Sequence, residues 1–188
     1  MFCKLALAAA AVIFVVGCEP GNDANKTGGS EETTSPSSSV KSFHNLDYDH
    51  VEGPVDYRQS PPVGGDHASI WQNCGFYSEP VRNETAVHSM EHGAVWITYR
   101  QGLPAEQVDE LRGPANSKTY VLISPYADLP TPVVASAWGK QLRLDSAEDP
   151  RLKQFVDTFR QGPQTPEPGA PCTGGTSKTV SRPVGANE

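Results

Sequence analysis

The hydrophobic positions divide the 188-residue chain into an apolar start, a polar stretch, a patterned middle and a polar end. Leu5 to Val16 is a run of twelve apolar residues without a charge, and Lys4 precedes it. Twelve helical residues span about 18 Å, which is too short for a hydrocarbon core of about 30 Å. The run therefore predicts a secretory signal peptide over residues 1–17.

The polar stretches on both sides of the middle predict chain that does not fold by itself. Residues 19–42 contain a single apolar residue larger than alanine, Val40, which is too little to offset the entropy of ordering. We expect a disordered tether over residues 18–43 and a flexible tail over residues 173–188, where the composition is again polar. One folded domain remains, over residues 44–172.

The patterned middle predicts a small single α+β domain. Its first third is broken by turn residues such as Gly53-Pro54 and predicts loops. The later periodicity predicts helices over 83–92, 104–112 and 150–159, and strands over 94–99, 119–124, 133–137 and 141–144. Asn83 is expected to cap the first helix and Gly93 to end it. The element order suggests a few-stranded, mostly antiparallel sheet with helices on one face.

The apolar start ends in Val15-Val16-Gly17-Cys18, which resembles the lipobox of bacterial lipoproteins. The resemblance implies cleavage before Cys18 and a thioether-linked diacylglycerol on its sulfur, often with an acylated amine. Several acyl chains hold a protein at a membrane far more firmly than one. We therefore expect a lipid-anchored protein of the cell envelope, at the outer face of a membrane or in a periplasm. An ordinary signal peptide followed by an unmodified cysteine is the alternative.

The charge balance excludes one broad class of partner. The chain has 22 acidic and 15 basic residues, and its formal net charge is −7 at pH 7. Nucleic-acid binding relies on a basic surface that neutralises phosphates, and this chain has the opposite sign. We expect no nucleic-acid partner.

Two of the four cysteines are left over for the folded domain. Cys3 leaves with the signal peptide and Cys18 carries the lipid, which leaves Cys74 and Cys172. Because an exported protein meets an oxidising compartment, the pair predicts a disulfide bond. Two buried free thiols and two metal thiolates are the alternatives, although neither cysteine belongs to a Cys-x-x-Cys pair.

The histidines predict a metal site. All five lie between His44 and His92. On a helix, His88 and His92 share one face, and two imidazoles at this spacing can reach one metal ion. His67 follows a glycine-rich turn that can bring in a third imidazole, and His50 is an additional candidate ligand.

The residues between the two helical histidines affect the choice of metal. Met90 is an optional thioether ligand, which would suit copper, and Glu91 is expected to orient an imidazole from outside the ligand set. We expect copper, with zinc as the alternative. Each residue also has an ordinary explanation, since His92 suits a helix C-terminus, Met90 fills cores and His88 could be a buried core histidine.

His88, Glu91 and His92 also form a His-x-x-Glu-His motif, which resembles the inverted zincin pattern. In that pattern the glutamate is a general base for a zinc-bound water. Those enzymes carry the motif on a long helix, whereas this helix is expected to stop at Gly93. A hydrolase is therefore the less favoured interpretation, and no catalytic residue is assigned.

Six short motifs are spread over most of the predicted domain. They are Pro61-Pro62-x-Gly64-Gly65-x-His67, Cys74-Gly75-x-Tyr77, Val87-His88-Ser89-Met90-Glu91-His92-Gly93-Ala94-Val95, Ser124-Pro125-Tyr126, Ala137-Trp138-Gly139 and Pro166-Glu167-Pro168-Gly169-Ala170-Pro171-Cys172. In combination they resemble the bacterial envelope proteins grouped as domain of unknown function 3105. The resemblance implies an exported single-domain protein. It also implies that His67, His88, Glu91 and His92 belong to the family pattern, as do both domain cysteines, but it does not supply a metal.

Three classes of function follow from these features. The first is an envelope protein that buffers copper or exchanges it with a metal-donor or metal-acceptor protein. The second is a zinc-dependent hydrolase. The third is an interaction module without a metal, whose aromatic surface of Trp71, Tyr77 and Trp138 docks a protein or a wall polymer.

Overall fold

The structure is a computed structural model of the chain, and it describes residues 40–117 and 119–181. The predicted signal peptide, Cys18 and most of the predicted tether lie outside the described residues. Among the helices of the described part, none has the length and apolarity needed to cross a membrane.

All of the predicted helices and strands are present, and two short strands are added. In chain order the elements are β1 (Lys41–Ser42), β2 (Gly75–Phe76), α1 (Asn83–Glu91), β3 (Val95–Arg100), α2 (Ala105–Ser117), β4 (Val121–Tyr126), β5 (Val133–Ala137), β6 (Lys140–Leu144) and α3 (Pro150–Phe159). The α+β class is confirmed. The segment between β1 and β2 is loop, as predicted, apart from isolated bridges such as the one between His50 and His67.

Two helix ends differ from the predictions. Arg82, and not Asn83, is the N-cap of α1, and its side chain makes no capping hydrogen bond. At the other end Gly93 has a φ of 102°, the left-handed conformation that was predicted to end the helix. Helix α2 continues past its predicted end at residue 112 and contains Pro114. Packing of its apolar side chains against the sheet overrides the low helix propensity there.

The strands form a six-stranded mixed sheet in the order β1-β6-β5-β3-β4-β2. The pairs β1·β6, β6·β5 and β5·β3 are antiparallel, whereas β3·β4 and β4·β2 are parallel. Helix α2 makes the crossover that the parallel pair β3·β4 requires. Ile97 in β3 lies between Ala135 of β5 and Ile123 of β4, which places β3 near the centre of the sheet.

Helices cover both faces of this sheet, which corrects the prediction of one covered face. Ile97 packs in a cluster with Leu111 of α2 and Phe155 of α3. Its neighbour Trp96 points to the opposite face and packs in a second cluster with Met90 of α1. Strand β3 is buried at every position from residue 95 to 99, as expected for a strand covered on both sides.

The ordered domain extends beyond the predicted limits of 44–172. Lys41 pairs with Gln141 on the edge of the sheet, and Thr176 forms a bridge with Gln72. Backbone hydrogen bonds of this kind need no apolar side chain, so the polar composition of these segments gave no sign of them. The last residues of the predicted tether and the first of the predicted tail are therefore part of the fold.

Cys74 and Cys172 form the predicted disulfide bond, with 5.4 Å between their Cα atoms. The backbone N–H of Cys74 also donates to the carbonyl oxygen of Cys172 at 2.8 Å. Together these bonds fasten the proline-rich segment 166–172 to the start of β2. The segment thereby reaches the C-terminal end of α1, where Glu167 N–H donates to the carbonyl of Glu91 at 3.0 Å.

Candidate metal centre

Helix α1 carries its polar site residues on one side and Met90 on another. His88, Glu91 and His92 follow the i, i+3, i+4 spacing that puts residues on one side of a helix. Met90 lies on the other side, where it is fully buried against Trp96. Met90 therefore fills the core, and the prediction of it as an optional ligand is wrong because the turn of the helix directs it away from the histidines.

Three imidazoles and one carboxylate meet beside α1. We call His50, His67, His88 and Glu91 the histidine cluster, and one ligand atom from each lies within 4.8 Å of all the others. Glu91 Oε2 is 2.9 Å from His67 Nε2, 3.9 Å from His50 Nε2 and 4.0 Å from His88 Nε2. Glu91 thus lies at the centre of the cluster, where it hydrogen-bonds one of the imidazoles, and His50 belongs to the same cluster.

The loop before β2 brings the first two histidines to the helix. His50 and His67 form an isolated parallel bridge, in which Val51 N–H donates to the His67 carbonyl at 2.8 Å. Ala68 N–H then donates to the carbonyl of Glu84 in α1 at 3.3 Å. Backbone hydrogen bonds therefore fix the two loop segments to each other and the second segment to α1. This places His50 and His67 next to the helix.

Two buried histidines of the cluster have fixed tautomers. The Nδ1 atom of His67 lies 2.8 Å from the Gly65 carbonyl, and that of His88 lies 2.7 Å from the Ala68 carbonyl. A carbonyl oxygen only accepts, so each Nδ1 must carry the hydrogen. The neutral form of each ring then has its lone pair on Nε2, the atom that faces Glu91. Metal-binding histidines are oriented by the same kind of hydrogen bond.

The pKa values within the cluster differ because the residues have different partners. Burial lowers the pKa of His67, but hydrogen bonds with Glu91 and the Gly65 carbonyl outweigh it, so the pKa is raised overall. Burial raises the pKa of Glu91, and the hydrogen bond from His67 reverses this to a lowered value. Burial lowers the pKa of His88 to about 4, so this imidazole is neutral at pH 7. The hydrogen bond between His67 and Glu91 therefore favours the charged form of each, beside a neutral His88 imidazole.

His92 does not join His67 and His88, although the sequence predicts these three as ligands of one ion. Its ligand atom belongs to a second group with Glu91 and Glu167, again within 4.8 Å of one another. His92 Nε2 lies 3.7 Å from Glu167 Oε2. The orientation of the His92 ring is fixed by its Nδ1, which donates to the Pro171 carbonyl at 2.6 Å.

Sequence reasoning missed Glu167. It lies far along the chain from the histidines, and only the disulfide-fastened segment brings it to α1. The available sign was its position in the Pro-Glu-Pro motif that ends at Cys172, but no spacing rule connects this motif to the helix.

Two of the three aromatic residues predicted as a docking surface, Trp71 and Trp138, lie beside the histidines. The ring of Trp71 is 5.0 Å from that of His92 and 5.6 Å from that of His88, and the ring of Trp138 is 6.1 Å from that of His67. Trp138 is only 8% exposed and belongs to the core cluster that contains Trp96 and Met90, and Tyr77 packs against that cluster. Trp71 and Trp138 therefore pack beside the histidines, whereas Tyr77 packs against the core.

The fold and site define a small α+β domain with a buried histidine–carboxylate centre. Residues 50–174 match the family described as "Protein of unknown function (DUF3105)", and the chain belongs to that family. The resemblance found from the motifs is thereby confirmed. No curated protein and no solved structure matches the chain. The matched range begins at His50 and extends past Glu167, so it contains every residue of both groups.

Proposed function

We propose that this protein is a lipid-anchored component of the bacterial cell envelope that binds a divalent metal ion at the histidine cluster. Cys18 is the proposed anchor, after removal of residues 1–17. The metal function is buffering or delivery, with Cu(II) as the proposed ion and zinc as the alternative. The observation that carries the proposal is the convergence of three imidazoles and one carboxylate within 4.8 Å.

An ordinary buried ion pair would explain only part of this convergence. His67 and Glu91 satisfy each other at 2.9 Å. His88, however, is neutral at pH 7 and its Nε2 is 4.0 Å from Glu91, which is beyond hydrogen-bond distance. A metal ion would use the Nε2 lone pair of His88 and would replace the proton in the hydrogen bond between His67 Nε2 and Glu91, since the Nδ1 hydrogen bonds of both rings leave Nε2 directed at Glu91.

The donor set favours a divalent ion of intermediate softness. Three imidazole nitrogens and a carboxylate oxygen suit Cu(II) and Zn(II). Because Met90 lies in the core, the thioether that would favour Cu(I) is absent from the cluster. Among divalent ions, Cu(II) binds nitrogen sites most tightly in the Irving–Williams order, which supports copper over zinc.

One member of the cluster supports metal exchange with another protein. The side chain of His50 is 51% exposed, whereas those of His67 and His88 are 0% and 4% exposed. A metal-donor or metal-acceptor protein would therefore approach from the His50 side. The buried residues would retain the ion while His50 dissociates.

The two other classes of function have less support. A hydrolase of the inverted zincin type needs Glu91 as a base for a metal-bound water, whereas in the proposed site this carboxylate would itself be a ligand of the ion. An interaction module needs an exposed aromatic surface, whereas Trp71 and Trp138 pack beside the histidines.

Titration of the full chain with Cu(II) and with Zn(II) tests the proposal. His67→Gln and His88→Gln should each weaken binding strongly. His44→Gln is the matched control, because this exposed histidine belongs to neither group and should leave binding unchanged. Equal affinity in all of these proteins, or no binding in any, would contradict the proposal and favour the interaction module. Zinc-dependent hydrolysis that disappears in Glu91→Gln would favour the hydrolase.

A further inference from the structure

We infer that the chain has a second metal position next to the histidine cluster, formed by His92 and Glu167 and joined to the first position through Glu91. The inference rests on the proposed function, because Glu91 would serve both positions. The two positions would form a dinuclear centre with unequal affinities. Its inner site is the histidine cluster, and its outer site, at His92 and Glu167, exchanges its ion with the surroundings.

His92 is oriented by the same kind of Nδ1 hydrogen bond to a backbone carbonyl as His67 and His88. It is 3% exposed, and its Nδ1 hydrogen bond to the Pro171 carbonyl leaves the Nε2 lone pair available in the neutral ring. Nε2 is 3.7 Å from Glu167 Oε2, which is too long for a hydrogen bond but suits two ligands of one ion. A favourable interaction with the helix C-terminus would account for a histidine at this position, but not for the two carboxylates that lie within 4.8 Å of its ligand atom.

Glu167 is held in place by its own backbone. Its N–H donates to the Glu91 carbonyl at 3.0 Å, and the segment that carries it is closed by the disulfide at Cys172. Backbone hydrogen bonds and a covalent bond therefore fix the segment that carries Glu167 against the end of α1 before any ion arrives. Such preorganisation is what a metal site requires of its scaffold.

Glu91 is suited to bridge the two positions. A carboxylate has two oxygens and can bind one ion with each, and paired ions in proteins lie about 3.5 to 4 Å apart. Glu91 belongs to both groups of potential ligands, and the rings of His88 and His92 are only 4.4 Å apart. The two ions would therefore be neighbours on opposite sides of this one carboxylate.

The two positions should differ in their affinity for a metal ion. The inner one has three imidazoles, whereas the outer one has a single imidazole and two carboxylates. The Glu167 side chain is 58% exposed, so water can complete the coordination there. Repulsion from the inner ion further weakens the outer site. The outer site would accept Cu(II) or Zn(II) as a weakly held ion, and an incoming ion could bind there first.

Equilibrium dialysis of the full chain against Cu(II), followed by elemental analysis, tests this inference. The protein should bind two ions, one tightly and one weakly, in line with its two groups of ligands. His92→Gln and Glu167→Gln should each abolish the weak site and leave the tight one. Glu106→Gln, an exposed glutamate in α2, is the matched control and should still bind both ions.

Electron paramagnetic resonance gives an independent readout. Two neighbouring Cu(II) ions should produce a half-field signal that disappears in Glu167→Gln. A wild-type protein that binds one ion, lost in His67→Gln, would overturn the second site while the proposed function stands. Retention of both ions in His92→Gln and Glu167→Gln would also overturn it. Absence of any bound ion in the wild-type protein would overturn both proposals.

Discussion

Glu91 and His67 meet at 2.9 Å, which joins the last turn of α1 to a loop residue 24 positions earlier in the chain. Nδ1 of His67 donates to the Gly65 carbonyl, and its Nε2 hydrogen bond with Glu91 favours a proton on that nitrogen and raises the pKa of the ring against the effect of burial. A cation bound at Nε2 would take the place of this proton. The same pair therefore stabilises the fold and marks the proposed metal position.

Glu91→Gln should weaken metal binding and leave the protein folded. A glutamine amide can donate to the Nε2 lone pair of neutral His67, so the link between loop and helix is kept. The amide is a much weaker metal ligand than a carboxylate, and we expect the affinity for Cu(II) to fall at least about 10- to 100-fold, the loss typical for removal of an orienting group. Competition titration measures the affinity and circular dichroism the fold, with Glu106→Gln as the control. Unchanged affinity in folded Glu91→Gln would remove Glu91 from the centre.

The disulfide should contribute strongly to stability. Replacing both Cys74 and Cys172 with serine should lower the free energy of unfolding by about 2 to 5 kcal/mol, the usual cost of removing a native disulfide from a small secreted domain. Denaturant unfolding of the variant and the wild type gives this difference. Equal stability, or free thiols in freshly exported wild-type protein, would contradict the prediction.

The start of α3 should be sensitive to acid. Asp149 caps this helix by accepting a hydrogen bond from Arg151 N–H at 2.9 Å, and Asp149→Ala should cost about 1 kcal/mol at pH 7. The hydrogen bond with the Arg151 side chain lowers the pKa of Asp149. Its stabilisation is therefore present above the ordinary aspartate pKa of about 4 and is lost as the pH falls through the lower value in the folded state.

Unfolding at pH 7 and at about pH 3, near the range where aspartate is protonated, measures this effect. The stability difference between wild type and Asp149→Ala should shrink at the lower pH. Asp149→Asn, which caps without a titrating charge, is the control. A difference that stays constant or grows in acid would contradict the assignment.

The lipid anchor is a prediction about a residue outside the described part of the chain. Cys18→Ala removes the sulfur that would carry the diacylglycerol, so the protein should leave the membrane fraction as unprocessed or released forms. Cell fractionation and the mass of the mature protein measure this. The same mature mass and detergent partition in both proteins would contradict lipidation.

The sequence was informative where residues close in the chain make the structure. The periodicity around 83–92 predicted α1, and its spacing placed His88 and His92 on one side of it. The cysteine count predicted the disulfide because the predicted signal peptide and lipidation site left only one pair of cysteines for the domain. These inferences needed local geometry or elimination, and no knowledge of the tertiary contacts.

The sequence was uninformative where a distant contact decides the outcome. The role of Met90 depends on which side of α1 meets the sheet, and only the position of Trp96 settles this. His92 turns toward Glu167 instead of His67 because the segment ending at Cys172 supplies a carbonyl for its Nδ1. The sequence separation of these partners places them beyond any spacing rule.

Electron spin-echo measurements on the full chain loaded with one equivalent of Cu(II) test the central claim most directly. The modulation from the remote nitrogen of a coordinated imidazole reports how many histidines bind the ion and that Nδ1 carries a hydrogen. We predict modulation from several imidazoles, reduced in His67→Gln and in His88→Gln and unchanged in His44→Gln, because the cluster contains His50, His67 and His88. Copper that shows no imidazole modulation, or modulation unaffected by His67→Gln and His88→Gln, would contradict a metal centre at the histidine cluster.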